Sequence, residues 1–309
     1  MNVLRSIADL GSIPGPLFLA IGVFDGVHLG HRAVIGRACK DAAQIGGHAV
    51  VVTFDPHPVR VLRPEQAPRV MTSTQHKARL LKCLGVEHLL LIHFDESFAA
   101  TPPEQFIRDL ASAASIREIC VGHQWSFGKG RAGNLDLLKT LGDELSFDEV
   151  GVAAVKVDGQ IVSSTLIRGL VQCGDLAMAA RYLGRPYSIL GTVVKGDQIG
   201  RQIGFPTANL AAHNEQFPPN GVYAVEAYRG NERLTGVVNI GVRPTIAHAS
   251  GERILELHIF DFQEDIYGED IEVVFRQFLR VEEKFESLDA LSTQLRKDVD
   301  SARAILQYP

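Results

Sequence analysis

Cysteine is scarce: Cys39, Cys83, Cys120 and Cys173 are the only four in 309 residues, and no two form a C-x-x-C pair. That excludes a disulfide-built fold and a cysteine-based metal or redox centre. It fits a reduced, cytoplasmic protein whose thiols serve as small core residues. Long apolar runs are missing too. None reaches the roughly 18 residues a membrane helix needs, and residues 1–10 lack the apolar core of a secretory signal. A basic excess is also absent. With 31 Lys and Arg against 36 Asp and Glu, the net charge is −5, which offers no electrostatic footprint for nucleic acid. What is present, 46% hydrophobic and 22% charged residues, is ordinary for a globular chain with room for two domains.

The first informative stretch is Gly22-Val23-Phe24-Asp25-Gly26-Val27-His28-Leu29-Gly30-His31. It follows an apolar run at 17–21 that reads as a buried parallel strand, and it runs into a helix-spaced segment. The two histidines therefore stand at a strand-to-helix turn, where unpaired N–H groups and partial positive charge favour phosphate. Glycines let the backbone approach a ligand closely, and imidazoles can donate to phosphate oxygens as charge builds. An i, i+3 histidine pair can also share a metal, although no further ligand stands at the usual spacing. Ordinary loop histidines are the other alternative.

Strands at 47–54, 87–94, 117–122 and 149–157 alternate with helices at 74–84 and 102–113, the latter opened by Thr101 as N-cap. Such alternation predicts a doubly wound parallel sheet with helices on both faces. Asp55 and His57 emerge at the C-terminal edge of the second strand, where open α/β sheets bind ligands. The loop at 122–133 carries glycines, cations and aromatics. Ser163 or Ser164 caps the helix that follows.

Four motifs in order, G-V-F-D-G-V-H-x-G-H, T-F-D-P-H-P, F-G-x-x-R-x-G and S-S-T-x-I-R, resemble the N-terminal module of bifunctional riboflavin kinase/FAD synthetases. That module is a Rossmann-like nucleotidyltransferase domain. The resemblance implies adenylyl transfer, in which the phosphate of FMN attacks the α-phosphate of ATP and pyrophosphate leaves. On that basis His28 and His31 stabilise the triphosphate, and Gly22, Phe24, Asp25 and Gly26 shape the ATP pocket. His57 lies near the phosphates, while Arg131, Ser164, Thr165 and Arg168 hold the nucleotide and the leaving group. Three positions depart from the family. Gln124-Trp125 replaces Asp or Asn followed by Phe, Leu166 replaces an Arg, and His76 replaces a Glu. A lost Arg removes a bidentate phosphate donor that Leu cannot replace.

Gly184-Arg185-Pro186 ends a helix pair at 166–183 and sets the expected boundary, giving domains 1–185 and 186–309. Beyond it, short strands at 187–195, 221–228, 234–240, 254–261 and 271–279 predict a small antiparallel barrel followed by a helix at 288–306. The loop 196–209 is no Walker A loop, since no Gly-Lys-Ser/Thr ends it. Its glycines allow backbone approach to an anion, and Thr207 and Asn209 offer oxygens to Mg²⁺. The string resembles the riboflavin kinase signature G-x-x-x-G-R-x-x-G-F-P-T-A-N, carried here by Gly196, Gly200, Arg201, Gly204, Phe205, Pro206, Thr207 and Asn209. Matches around Asn239, Arg243, Glu256 and Arg280 follow.

That resemblance implies phosphoryl transfer from MgATP to the ribityl hydroxyl of riboflavin. Glu256 acts as general base, Thr207 and Asn209 hold metal and phosphates, and Arg280 helps close over the flavin. Expected ligands are riboflavin, FMN, ATP and Mg²⁺, with no nucleic acid or membrane partner and homo-oligomerisation left open. A kinase with a weak or silent adenylyltransferase half, a non-catalytic flavin binder, and a nucleotidyltransferase for another acceptor are the alternatives.

Overall fold

The computed structural model describes residues 1–196, 200, 204–245 and 248–307, with side chains at 242–245 and 248–252 outside the description. Arg201 thus lies outside the described residues, and only the backbone of Arg243 is described. The chain forms two compact units, one made of 1–70 and 74–166, the other of 71–73 and 167–309.

The first unit is built on a parallel sheet: β1 (Asn2–Leu4), β2 (Leu17–Ile21), β3 (His48–Asp55), β4 (His88–His93), β5 (Ile116–Gly122) and β6 (Asp148–Val152), ordered β1-β4-β3-β2-β5-β6. Its helices are α1 (Leu29–Ile45), α2 (Pro58–Leu62), α3 (Thr74–Cys83), α4 (Glu96–Ala99), α5 (Pro103–Ala113) and α6 (Leu135–Leu145). Alternate strand residues feed two cores. Leu17, Leu19, Ile21, Val50 and Val52 pack with Phe106, Ile107 and Leu110 of α5 and Leu138 and Leu141 of α6. Phe18, Ala20 and Val51 pack with Val34, Ile35 and Ala38 of α1 and Leu81 of α3. This period-2 division is why the strands read as continuous apolar runs, and each fully buried side chain contributes about 1.5–3 kcal/mol. Strand order reverses at β2, which lies between β3 and β5. The loop leaving β2 therefore stands at the switch point, where a crevice opens at the carboxyl edge.

In the second unit, α8 (Leu176–Leu183) follows α7 (Ser164–Cys173), a helix that begins in the first unit. Gly184 caps α8 at φ 71°, as the sequence predicts. A closed barrel follows: β9 (Ser188–Val194), β10 (Ala208–Ala212), β11 (Gly221–Arg229), β12 (Glu232–Thr245), β13 (His248–Ile259) and β14 (Asp270–Arg280), in the order β10-β13-β12-β11-β14-β9. The terminal helix α9 (Leu288–Leu306) seats Ala302 against Val222, Ala224 and Val237 on the barrel.

Several expectations need correction. The strand expected at 149–157 stops at Val152, and a small hairpin follows, β7 (Lys156–Val157) with β8 (Gln160–Ile161). Asp158 and Gly159 turn it with φ of 52° and 78°, the positive pair a type I′ turn needs. Thr101 is not the cap of α5. Pro102 takes that place without a side-chain bond, because Pro103 presets the first helical φ. Strand β10 and helix α6 had no counterpart in the sequence reading. Among the described residues no helix is long and apolar enough to cross a membrane.

Candidate active sites

The loop after β2 is folded against conformational preference. Phe24 and Val27 adopt φ of 51° and 42°, beside Gly26 at 84°. A β-branched residue in that region is an outlier, and each such residue costs on the order of 1–3 kcal/mol. Side chains from three other elements hold the loop in place. The Val23 carbonyl accepts from Thr53 Oγ1 at 3.0 Å and from Lys77 Nζ at 2.7 Å. The Asp25 carbonyl accepts from Ser164 Oγ at 3.0 Å. Asp25 itself is buried, as is Phe24, whose ring meets His31 edge to face at 5.3 Å.

His28 is the N-cap of α1, its Nδ1 accepting from the His31 N–H at 3.3 Å. That bond places the ring proton on Nε2, making it a donor. The two imidazoles stack with centroids 3.5 Å apart and planes 19° from parallel. His57 repeats the arrangement as N-cap of α2, its Nδ1 accepting from Val59 N–H at 3.2 Å. Two capping histidines of the same tautomer thus end up on the carboxyl edge of one sheet.

Lys77 was not legible in the sequence, yet it brings a buried cation to this loop. Its side chain on α3 is 5% exposed and bonds Thr53 Oγ1 at 3.2 Å as well as Val23. Burial lowers its pKa from 10.5 to about 8, with the charges of Asp25 and Asp55 opposing the shift. The unfolded chain therefore holds the extra proton between those values, and stability rises with pH across that window. Loop order runs the opposite way, since loss of the proton weakens the charge-assisted bond to Val23. Turnover at this site is expected to fall as pH rises through about 8. A pH–rate profile checks this, and Lys77→Met should be slow throughout and lack the alkaline limb.

Of the remaining expected residues in this half, Ser163 Oγ accepts from Leu166 N–H at 3.3 Å and is the cap. Ser164 is thereby left to hold Asp25, and Thr165 is exposed. Arg131 is exposed on its loop with φ 59° and donates from Nε to Ser126 Oγ at 2.7 Å. Arg168 lies on α7 within the second unit. The departures are accommodated differently. Trp125 stacks on Phe127 at 4.2 Å, His76 is fully buried, Leu166 is half-buried and Gln124 exposed.

The barrel brings together residues that lie far apart in sequence. Register places Asn209 of β10 opposite Glu256 of β13, and Glu256 opposite Asn239 of β12, so the three form one rung. Leu255 and Leu257 are fully buried on the other face, the alternation expected of a strand with one dry side. Asn239 Oδ1 is buried with no hydrogen-bond partner among the described residues, a cost that a bound ligand would remove. The Asn209 amide lies directly against the Cα of Gly196, where any Cβ would collide with it. His258 extends the wall by donating from Nδ1 to the Pro206 carbonyl at 2.8 Å, and the sequence reading had not singled it out.

Two cavities share Thr207. One, of about 350 Å³, is lined by Gly200, Phe205, the Asn209–Glu256–Asn239 rung, Arg280, Glu282, Glu283, and an apolar wall of Phe285, Leu291 and Leu295. The other, of about 570 Å³, is lined by Pro206, Phe262, Ile266 and Tyr267 among others. Gly204 takes φ 83° at the turn before Phe205.

Arg280 is committed to its own fold. Its guanidinium donates to Asp298 of α9 from Nε at 3.0 Å and from Nη2 at 2.8 Å, and lies 5.6 Å from the Phe285 ring. Asp298 is buried and also accepts from Gln294. Breaking a buried pair leaves one charge uncompensated. Asp298→Ala should therefore destabilise the barrel by about 3 kcal/mol, measured as faster amide exchange along α9.

Comparison with known proteins matches both halves of the chain to families. The family described as FAD synthetase matches residues 12–166, and the family described as riboflavin kinase matches residues 183–306. A bifunctional riboflavin kinase/FMN adenylyltransferase from Escherichia coli (strain K12) is 39% identical over 98% of this chain and 97% of its own. One from Bacillus subtilis (strain 168) is 38% identical over 92% and 90%. A crystal structure described as a macrolide-efflux protein from Streptococcus pneumoniae superposes with a TM-score of 0.83 at 29% identity, covering 98% of this chain and 99% of that one. The chain belongs to the bifunctional riboflavin kinase/FMN adenylyltransferase family.

Proposed function

We infer that this protein phosphorylates riboflavin to FMN in its barrel half and adenylylates FMN to FAD in its parallel-sheet half, using ATP in both steps. Residues 1–185 and 186–309 are the corresponding domains in this reading. The observation that carries the kinase is the rung of Asn209, Glu256 and Asn239 beside Thr207.

In the kinase, the cavity with the Phe285, Leu291 and Leu295 wall suits the flat apolar flavin. The cavity with Phe262 and Tyr267 suits adenine. The phosphates then meet the flavin hydroxyl near Thr207, which both cavities share. Glu256 accepts the hydroxyl proton as the oxygen attacks the terminal phosphorus, and ADP leaves. Mg²⁺ suits this place because the donors are hard oxygens, and because the Gly196 cradle holds the Asn209 amide beside them. Thr207 and Asn209 would hold the ion, which when bound neutralises phosphate charge. Gly200 and Phe205 line the same cavity, and Gly196, Gly204 and Pro206 shape its loop. Arg201 and Arg243 stay assigned to the nucleotide or flavin by resemblance alone. Arg280 acts by fixing α9 against the site.

In the adenylyltransferase, His28 donates from Nε2 to phosphate oxygens, with His31 stacked beside it. The N-terminus of α1 adds its dipole. Gly22, Phe24, Asp25 and Gly26 form the floor, and His57 reaches the phosphates from the neighbouring loop. Arg131, Thr165 and Arg168 are proposed to hold nucleotide and pyrophosphate, and Ser164 to fix the loop. The free thiols accord with a cytoplasmic enzyme.

A time course of riboflavin with MgATP, separating FMN and FAD chromatographically, tests the reading. FMN should appear first and FAD second. Tight flavin binding with no conversion would leave only a flavin binder. Accumulation of FMN without FAD would leave a kinase alone and trace the loss to Gln124, Trp125 and Leu166.

A further inference from the structure

The parallel sheet carries a second cluster of chemistry-bearing side chains, at the edge opposite the histidine loop. His48 opens β3, His88 opens the adjacent parallel strand β4, and Glu87 immediately precedes it. Their ligand atoms all lie within 4.8 Å of one another. His48 Nδ1 is 3.4 Å from the Glu87 carboxylate, and the two imidazoles meet edge to face at 5.5 Å. His88 Nδ1 is buried with no hydrogen-bond partner among the described residues. Neither reaction above uses any of these groups.

We propose that His48, Glu87 and His88 form a binding site for one divalent cation of the zinc class. Two borderline imidazole nitrogens beside one hard carboxylate favour Zn²⁺, Co²⁺ or Ni²⁺ over Mg²⁺. Three protein ligands leave the fourth tetrahedral position to water. Ligands about 2.1 Å from a tetrahedral ion stand roughly 3.4 Å apart, so the cluster must contract slightly. Glu87, 71% exposed, is free to swing inward.

The scaffold is already ordered. The Glu87 carbonyl accepts from Asn2 N–H at 2.7 Å, and His48 N–H donates to the Pro16 carbonyl at 3.0 Å. Burial, and secondarily the Glu87 charge, raises the pKa of Cys39 on α1 and keeps the thiol protonated. The ion would tie the starts of β3 and β4 together, away from the carboxyl edge of this sheet.

The test is titration of the EDTA-treated full chain with Zn²⁺, and with Co²⁺ for its visible absorption, in Mg²⁺ buffer without nucleotide. One ion per chain should bind and raise the melting temperature. His48→Gln and His88→Gln should each weaken binding by at least roughly 100-fold, and the exposed Glu87→Gln should weaken it without disturbing the sheet. All three should keep wild-type rates of FMN and FAD formation, which confirms their folding. His28→Asn should bind the ion as wild type does. Absence of saturable binding overturns the proposal. So does binding that survives in His48→Gln and His88→Gln, or binding lost only in His28→Asn, which would move the ion to the histidine loop.

Discussion

FAD formation from FMN by His28→Asn should fall by about 100- to 1000-fold, the usual cost of one preorganised donor to transition-state charge, while riboflavin phosphorylation keeps its rate. Asparagine is chosen because the proposed function gives His28 a second role besides capping. Its Nδ1 caps α1 through the His31 N–H, and asparagine is among the best capping residues. The second job, donation from Nε2, has no counterpart in asparagine at that reach. His28→Ala removes both and should also lower stability by about 0.5–2 kcal/mol. Comparing the two variants by rate and by melting temperature separates the cap from the chemistry. If His28→Asn made FAD at the wild-type rate, the donor role would be wrong, and the histidine would be a helix cap alone. The stacked His31 offers a cross-check, since the cap of α1 is His28 and not this ring. His31→Ala should cost FAD formation with little change in melting temperature.

What the sequence made legible divides along lines of locality. The histidine loop is contiguous, it follows an unbroken apolar run, and its glycines mark the turn. Strand, loop and helix therefore all followed from neighbours in the chain. Lys77 carried no such signal. A lysine within Thr-Gln-His-Lys-Ala-Arg reads as the wet side of a helix, and only packing of α3 on the sheet puts its amine against Val23 and Thr53. Strand β10, Ala-Asn-Leu-Ala-Ala, has low intrinsic strand preference and exists because β9 and β13 pair with it on either side. The Asp158-Gly159 turn was different, because the dipeptide is a strong hairpin signal and could have been read. In the barrel, the face that Glu256 takes follows from strand alternation with its neighbours Leu255 and Leu257, both fully buried. Its partners in the rung were fixed by register across three strands, which sequence alone does not specify.

That rung supports the second large prediction. Glu256→Gln should lower riboflavin phosphorylation by about 100- to 10,000-fold, as expected for loss of a general base, and supplied FMN should still be converted to FAD. Positioning and charge neutralisation dominate phosphoryl transfer, so Asn209→Ala should cost at least as much. The cradle of Gly196 provides an independent handle on the same atom. A methyl group there collides with the Asn209 amide, and Gly196 does not have the positive φ that would strain an alanine by itself. Gly196→Ala should therefore reproduce the Asn209→Ala defect without touching a donor, and the double variant should be little worse than either single one, as coupled neighbours behave. Initial rates of FMN formation at saturating riboflavin and MgATP decide it. A wild-type rate in Gly196→Ala would mean that Asn209 need not occupy its observed place. Additive losses in the double variant would mean that glycine and asparagine act separately.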